Sequence, residues 1–168
     1  MGQPPEGTDM LSQAFMQNPL VVIAALNHPL TKVRNIKPKQ LAQEVFLLRE
    51  QGSGTRGVVE RYFASHHLKL PTHMEMDTNE AIKQSVQAGM GLGIISMHGI
   101  ELELEIKRLQ VLNVDHFPIM RHWHIVHLKS KRLSTAAHAF NQFLLNEAES
   151  LASPTTLTTI PSKRSRTK

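Results

Sequence analysis

Between the apolar run Val45-Phe46-Leu47-Leu48 and the helical-looking Val58-Val59-Glu60-Arg61-Tyr62-Phe63 lies the stretch whose residue types best suit chemistry, Arg49-Glu50-Gln51-Gly52-Ser53-Gly54-Thr55-Arg56-Gly57. Read by its glycines, it is G-x-G-x-x-G (Gly52, Gly54, Gly57), the spacing that lets a dinucleotide pyrophosphate approach the backbone at a helix start. Asp77 stands at a suitable distance to take the ribose, but Arg49-Glu50-Gln51 crowd the place where that motif needs a tight turn. Read by its side chains, the stretch is an anion cradle. Ser53 and Thr55 offer hydroxyls, Arg56 offers a charged fork, and a helix N-terminus attracts carboxylate or phosphate. A plainer reading makes Ser53 or Thr55 a helix cap and leaves Arg56 in solvent. Spacing alone leaves cradle and cap open.

The histidines are the other candidates, because four of the ten, His116, His122, His124 and His127, fall in a short span. On a strand His122 and His124 share a face and His127 points the other way. No acidic residue after Asp115 is near enough to complete a local ligand set, so these histidines read as structural or exposed and no metal is expected. No Ser-His-Asp order and no paired carboxylates stand out, so no catalytic residue and no cofactor are expected. With no cysteine there is neither a disulfide framework nor a thiolate site, which fits a reducing cytoplasm.

Alternating strands and helices must position these residues. Leu20 to Leu26 is a β-branched run closed by Asn27-His28-Pro29 and reads as a buried strand. Lys37 to Ala42 reads as a brief helix, Val45 to Leu48 as a strand, and the glycine stretch leads into a helix to about His67. Val58, Val59, Tyr62, Phe63 and His66 give that helix one apolar face. His73 to Met76 is a third strand, Asp77-Thr78-Asn79-Glu80 caps a helix carrying Ile82 and Val86, and Gly91 to Ser96 is a fourth strand. Glu101 to Ile106 alternates like a strand but is built of helix formers, so its type stays open. Leu109 to Val114 and Arg121 to Leu128 read as strands, and Ser134 caps a final helix with Ala137, Phe140, Phe143 and Leu144 turned inward. This order predicts an α/β fold with right-handed crossovers and a parallel sheet, whose ligands sit at the carboxyl ends of the strands.

The 168 residues suffice for one domain or two small lobes. The net charge of +5 hints at nucleic acid, yet four of the nineteen basic residues (Lys163, Arg164, Arg166, Lys168) lie beyond Glu149, while every acidic residue lies at or before it. Residues 1–149 therefore carry only +1, and the Ser/Thr/Pro-rich basic end, 150–168, reads as a disordered, solvated tail. No leader and no apolar run long enough to span a bilayer is visible.

Taken together, "NPLVVIAALNHPL", "VFLLREQGSGTRGVVERYF", "TNEAIKQSVQAGMGLGIISMHG" and "FPIMRHWHIVHLKSKRLSTAAHAFNQFL" resemble the effector-binding region of LysR-type transcriptional regulators. The wording is nearest the branch that controls RuBisCO and other carbon-fixation operons, and the likeness runs from Met1 to about Glu149. The resemblance implies a two-lobed, periplasmic-binding-protein-like fold with parallel-rich sheets. Residues 27–108 would form a complete second lobe, and 1–19 with 115–149 part of a first. It also implies that the Gly/Ser/Thr loop rims an effector cleft for small anionic metabolites, often phosphorylated. Carried over residue by residue, Ser53, Gly54, Thr55 and Arg56 match the cleft loop, Thr78 and Asn79 the loop opening the next helix, and Gln3 and Pro4 lie in a turn facing the cleft.

Leu20 to Leu26 and Leu109 to Val114 match the crossover strands between lobes. Family members begin with a helix-turn-helix and the first strands of lobe one, which have no counterpart here. The expectation is thus a non-catalytic, cytoplasmic sensing fragment whose DNA contact and part of whose self-association belong to the missing half. The alternative is a nucleotide-dependent oxidoreductase using Gly52 to Gly57; a periplasmic solute-binding protein ranks behind it, for want of a leader.

Overall fold

The computed structural model describes residues 2, 4 and 7–151. They form β1 (Met10–Gln17), β2 (Leu20–Ala25), α1 (Pro38–Leu41), β3 (Phe46–Arg49), α2 (Gly54–Ser65), β4 (His73–Met76), α3 (Asn79–Gln87), β5 (Leu92–Ser96), α4 (Glu101–Glu105), β6 (Leu109–Val111), β7 (His122–Leu128) and α5 (Thr135–Leu151). The basic segment expected to be disordered lies, from residue 152 onward, outside the described residues.

Five strands make one sheet in the order β4-β3-β5-β2-β6. Successive strand residues point to opposite faces, and both faces here are covered, which is why β2 is apolar without a break. Leu20, Val22, Ala24, Phe46 and Leu48 join Val59, Tyr62 and Phe63 of α2 in one core. Val21, Ile23 and Leu47 join Ile82 and Val86 of α3 in the other. Gly93 in β5 lets α3 settle on the sheet: a Cβ there would lie 2.9 Å from Ile82 Cγ2 and 3.1 Å from Val86 Cγ2.

The sheet is parallel-rich but not wholly parallel. β3 runs parallel to β4 and β5, through α2 and α3 as crossovers. β2 is antiparallel to both β5 and β6. The reversal follows from the route of the chain, since β2 comes straight from a second sheet rather than through a crossover helix. That second sheet pairs β1 antiparallel with β7, from Met10 opposite Leu128 to Gln17 opposite His122, with a bulge between Ala14 and Met16. β1 was not expected from the sequence, as it has no β-branched residue and only long-range pairing makes it a strand. The doubtful segment Glu101 to Ile106 is helical, as its composition favours.

One expectation is corrected in α5. Ser134 does cap it, accepting from Ala137 N at 3.2 Å. Ala137 and Leu144 are half-buried, but Phe140 and Phe143, expected inward, are 61% and 49% exposed. The helix packs on β1 of a two-stranded sheet, which is too narrow to cover both aromatic rings.

The two sheets meet at Asn18-Pro19. Asn18 is fully buried, and its N–H donates to Arg121 O at 2.7 Å. Leu20 and Ile119 exchange both backbone bonds at 3.0 Å. The Asn18 amide, oriented to satisfy its neighbours, donates to Ser96 Oγ and accepts from Trp123 Nε1 at 2.6 Å and from Arg121 Nη2 and Nε at 3.1 and 3.2 Å. One side chain thus ties the end of β5 to the start of β7.

Two outcomes follow. Asn18→Ala strands the Trp123 and Arg121 donors, and denaturant unfolding should show a loss of about 2–4 kcal/mol, at about 1–3 kcal/mol per unsatisfied buried group; a change within error would contradict the joint. Tyr62, whose hydroxyl donates to Asp115 O at 3.1 Å, has its pKa pushed up to about 12, by burial first and then by the Asp115 charge. Its protonated phenol stabilises the fold fully below the unfolded value of about 10, and that contribution is lost as pH rises through the folded value. As Tyr62 is the one tyrosine, near-ultraviolet absorbance reads it directly. A folded-state midpoint at the denatured value would contradict its burial.

Candidate functional site

A cleft of about 600 Å³ opens just past the carboxyl end of β3, between the first turn of α2 and the first residues of β7. Gly52, Ser53, Gly54, Arg56 and Gly57 line it on one side, and Arg121, His122 and His124 on the other. Gly52 sits at φ +89°, a conformation glycine adopts without strain, and lets the chain turn so that Ser53 N–H meets Glu50 O at 3.1 Å.

The capping alternative does not describe the hydroxyls. Ser53 is the N-cap by backbone geometry, but its side chain makes no capping bond. Thr55 lies within the helix, and its Oγ1 accepts from Arg121 Nη2 at 3.3 Å. The loop thus presents Ser53 Oγ, Thr55 Oγ1 and the N–H groups of a helix first turn, which have no partners within the helix.

Arg56 differs from the expected free fork. It is 8% exposed, and its nitrogens are committed: Nε to Glu60 at 2.7 Å, Nη1 to Arg49 O at 3.3 Å, and Nη2 to His73 Nε2 at 2.9 Å. His73 Nδ1 reaches Pro71 O at 2.9 Å, so that nitrogen donates and Nε2 accepts from the guanidinium. Arg56 therefore ties α2 to β3 and β4 while still bordering the cleft.

Thr78 and Asn79 do not line the cleft. Thr78 caps α3, accepting from Ala81 N at 3.0 Å, and Asn79 Oδ1 accepts from Arg49 Nη1 at 3.2 Å. Pro4 is half-buried outside the lining, Gly2 belongs to it, and Gln3 lies outside the described residues. The residue that sequence reasoning missed is Arg121. It meets Thr55 only because β7 crosses from the other sheet, and no local spacing announces that. An arginine opening an otherwise apolar and histidine-bearing strand was the one available signal.

Charge gives the cleft its character. Arg56, Arg61 and Arg121 face a single carboxylate, Glu60, which Arg56 already neutralises. Among the described residues neither Arg61 nor Arg121 has an ion pair. Half-burial draws the Arg121 guanidinium below its ordinary pKa, yet it stays a cation at neutral pH. His124 is held below its usual value of 6.5, by burial first and then by His122, and its Nδ1 lies 2.8 Å from Ser12 Oγ. An arginine without an ion pair, the Ser53 hydroxyl and a helix start line one space; Thr55 is not among the lining residues and touches it through Arg121 Nη2. That arrangement suits a small anion.

It does not suit a dinucleotide. Arg49 and Glu50, clasped side chain to side chain at 2.6 and 2.8 Å, stand with Gln51 between the apolar part of β3 and Gly52, where a dinucleotide motif needs a tight turn. Among the described residues no group of three or more His, Asp or Glu is placed to hold a metal ion, and no helix is long and apolar enough to cross a membrane.

Comparison with known proteins gives the family of the chain. Residues 1–149 match the LysR substrate binding domain. The RuBisCO operon transcriptional regulator of Allochromatium vinosum is 49% identical over 148 residues, which are 88% of this chain and 49% of that regulator. The HTH-type transcriptional activator CmpR of Synechocystis is 44% identical over 154 residues, 90% of this chain and 51% of CmpR. The chain thus spans about half the length of the curated relatives it matches. Among solved structures, the CcmR regulatory domain of Synechocystis PCC6803, in complex with 2-PG, superimposes with a TM-score of 0.80 at 40% identity, covering 86% of this chain and 70% of that one. The α/β architecture is that of LysR regulatory domains, which share the periplasmic-binding-protein-like fold. On its matched span and its fold, the chain belongs to the LysR substrate-binding domain family.

Proposed function

We propose that this chain is the effector-sensing part of a LysR-type transcriptional regulator of carbon-fixation genes. It takes a small phosphorylated metabolite into the cleft between α2 and β7. The observation that carries the reading is Arg121, a half-buried guanidinium without an ion pair among the described residues, resting on Thr55 at the start of α2. The relatives support the biological setting, since they are named as regulators of the RuBisCO operon and the 2-PG complex is of a regulatory domain 40% identical to this chain.

The division of labour is as follows. Ser53, Gly54 and Thr55 donate hydroxyl and backbone hydrogen bonds, Arg121 supplies the charge, and Arg56 and Asn79 hold the loop and the neighbouring helix in place. The five-stranded sheet forms one lobe, and the β1–β7 sheet with α5 forms part of the other. Binding across the cleft then shifts one lobe against the other rather than transforming the ligand: the domain senses, in the cytoplasm, and does not catalyse. Operator reading belongs to the portion of the relatives that this chain does not cover.

Calorimetric titration with 2-PG tests the assignment. Thr55→Ala and Arg121→Gln each remove charge-assisted hydrogen bonds worth about 1.5–3 kcal/mol and should weaken binding about ten-fold or more. Arg56→Ala should lower the melting temperature first, because it leaves Glu60 and His73 without their partner. If Thr55→Ala and Arg121→Gln bind as the parent does while Arg56→Ala abolishes binding in a fully folded protein, the free-fork role returns to Arg56 and the assignment fails.

A further inference from the structure

A second, more open hollow, of about 520 Å³, adjoins the cleft and includes Arg121 in its lining. Its polar lining is Arg61, Tyr62, Ser65, His66, His116 and Arg121, and no carboxylate is among its lining residues. It shares Val58, Arg61, Met120 and Arg121 with the effector cleft, so the two spaces adjoin along these residues. Asp115, beside His116 in the chain, is engaged by Lys37 Nζ at 2.9 Å.

The imidazoles are held there by design of the fold. His66 closes α2 and packs on Tyr62 with ring centroids 4.7 Å apart; its Nδ1 donates to Tyr62 O at 2.8 Å, which leaves Nε2 as the ring nitrogen free to meet a ligand. His116 faces it with ring centroids 4.9 Å apart. His116 keeps φ at +64°, a left-handed conformation uncommon outside glycine, while the next residue, Phe117, packs edge-on to Tyr62 at 4.8 Å. Two imidazoles and two guanidiniums therefore surround one open space.

We propose that this chamber is a second anion subsite and that its ligand is a phosphate group. The argument for phosphate over other anions is proton chemistry. With its Nδ1 donating to Tyr62 O, His66 presents a bare Nε2 that accepts a proton from an anion when the ring is neutral and donates to it as imidazolium. A phosphate monoester, whose second ionisation lies near pH 6, can supply that proton or release it. Sulfate, with no proton near neutrality, can meet the His66 Nε2 only when that ring is protonated. The guanidiniums attract both anions by charge without reading a proton, so the imidazole carries the discrimination. The source is free phosphate or the outer phosphate of a ligand whose other end lies in the effector cleft.

The test is a titration of the whole chain, followed through the imidazole proton and nitrogen resonances of His66 and His116. Inorganic phosphate should shift both saturably and bind at least ten-fold tighter than sulfate. His66→Gln combined with His116→Asn, a residue that tolerates positive φ, should erase that preference. Ser53→Ala, which removes a hydroxyl of the effector cleft and touches no residue of the second space, should weaken the effector and leave the shifts intact, so failure of the effector reading and failure of this one are separable. If inorganic phosphate is silent but a compound bearing a phosphate at each end moves both histidines, the subsite stands as the outer end of a longer ligand. No saturable shift with either probe, or equal binding of sulfate and phosphate, overturns it.

Discussion

The arrangement rests on a fully buried amide. Asn18 stands where the chain leaves β1 for β2, and its backbone and side chain together hold Arg121, Trp123 and Ser96. A buried amide left without partners is costly, so this residue settles into one geometry rather than several. That geometry fixes where β7 starts relative to the five-stranded sheet and so where the Arg121 guanidinium points. The cleft is a consequence of this joint. Its loop belongs to one sheet and its cation to the other.

The same economy explains the division between the two arginines. Arg56, only seven residues from the end of β3, is captured by groups already nearby in the sheet and helix, namely Arg49 O, His73 and Glu60. Arg121 is met by a hydroxyl and an amide oxygen, neither of which cancels its charge. A cation that is partly desolvated and uncompensated gains most from an incoming anion, because Coulomb attraction strengthens as the local dielectric falls. The more visible arginine of the motif is structural, and the less visible one borders the cleft with its charge uncompensated.

How much of this the sequence disclosed follows from which forces are local. β2 and α2 were legible because burial on both faces leaves an unbroken apolar run and burial on one face leaves a helical stripe. The hydroxyl loop was legible because Gly52, Gly54 and Gly57 frame it. β1 was not, since nothing within Met10 to Gln17 favours a strand before β7 arrives beside it. Phe140 and Phe143 mark another limit: periodicity shows which residues share a face of α5, but not whether anything stands opposite. Arg121 was hidden for the same reason as β1, as its partner Thr55 is distant along the chain. The family resemblance pointed to the glycine loop, and the long-range pairing brought Arg121 beside it.

The central claim is that an anion sits between Thr55 and Arg121 rather than on Arg56. A crystal structure of the chain with a small phosphorylated ligand tests it most directly. The account predicts anionic oxygens at roughly 2.7–3.1 Å from the Arg121 guanidinium, Thr55 Oγ1 and the first backbone N–H groups of α2, with Arg56 still bound to Glu60 and His73. An anion gripped by an Arg56 that has released Glu60, with Arg121 unmoved on Asn18 and Thr55, would contradict it.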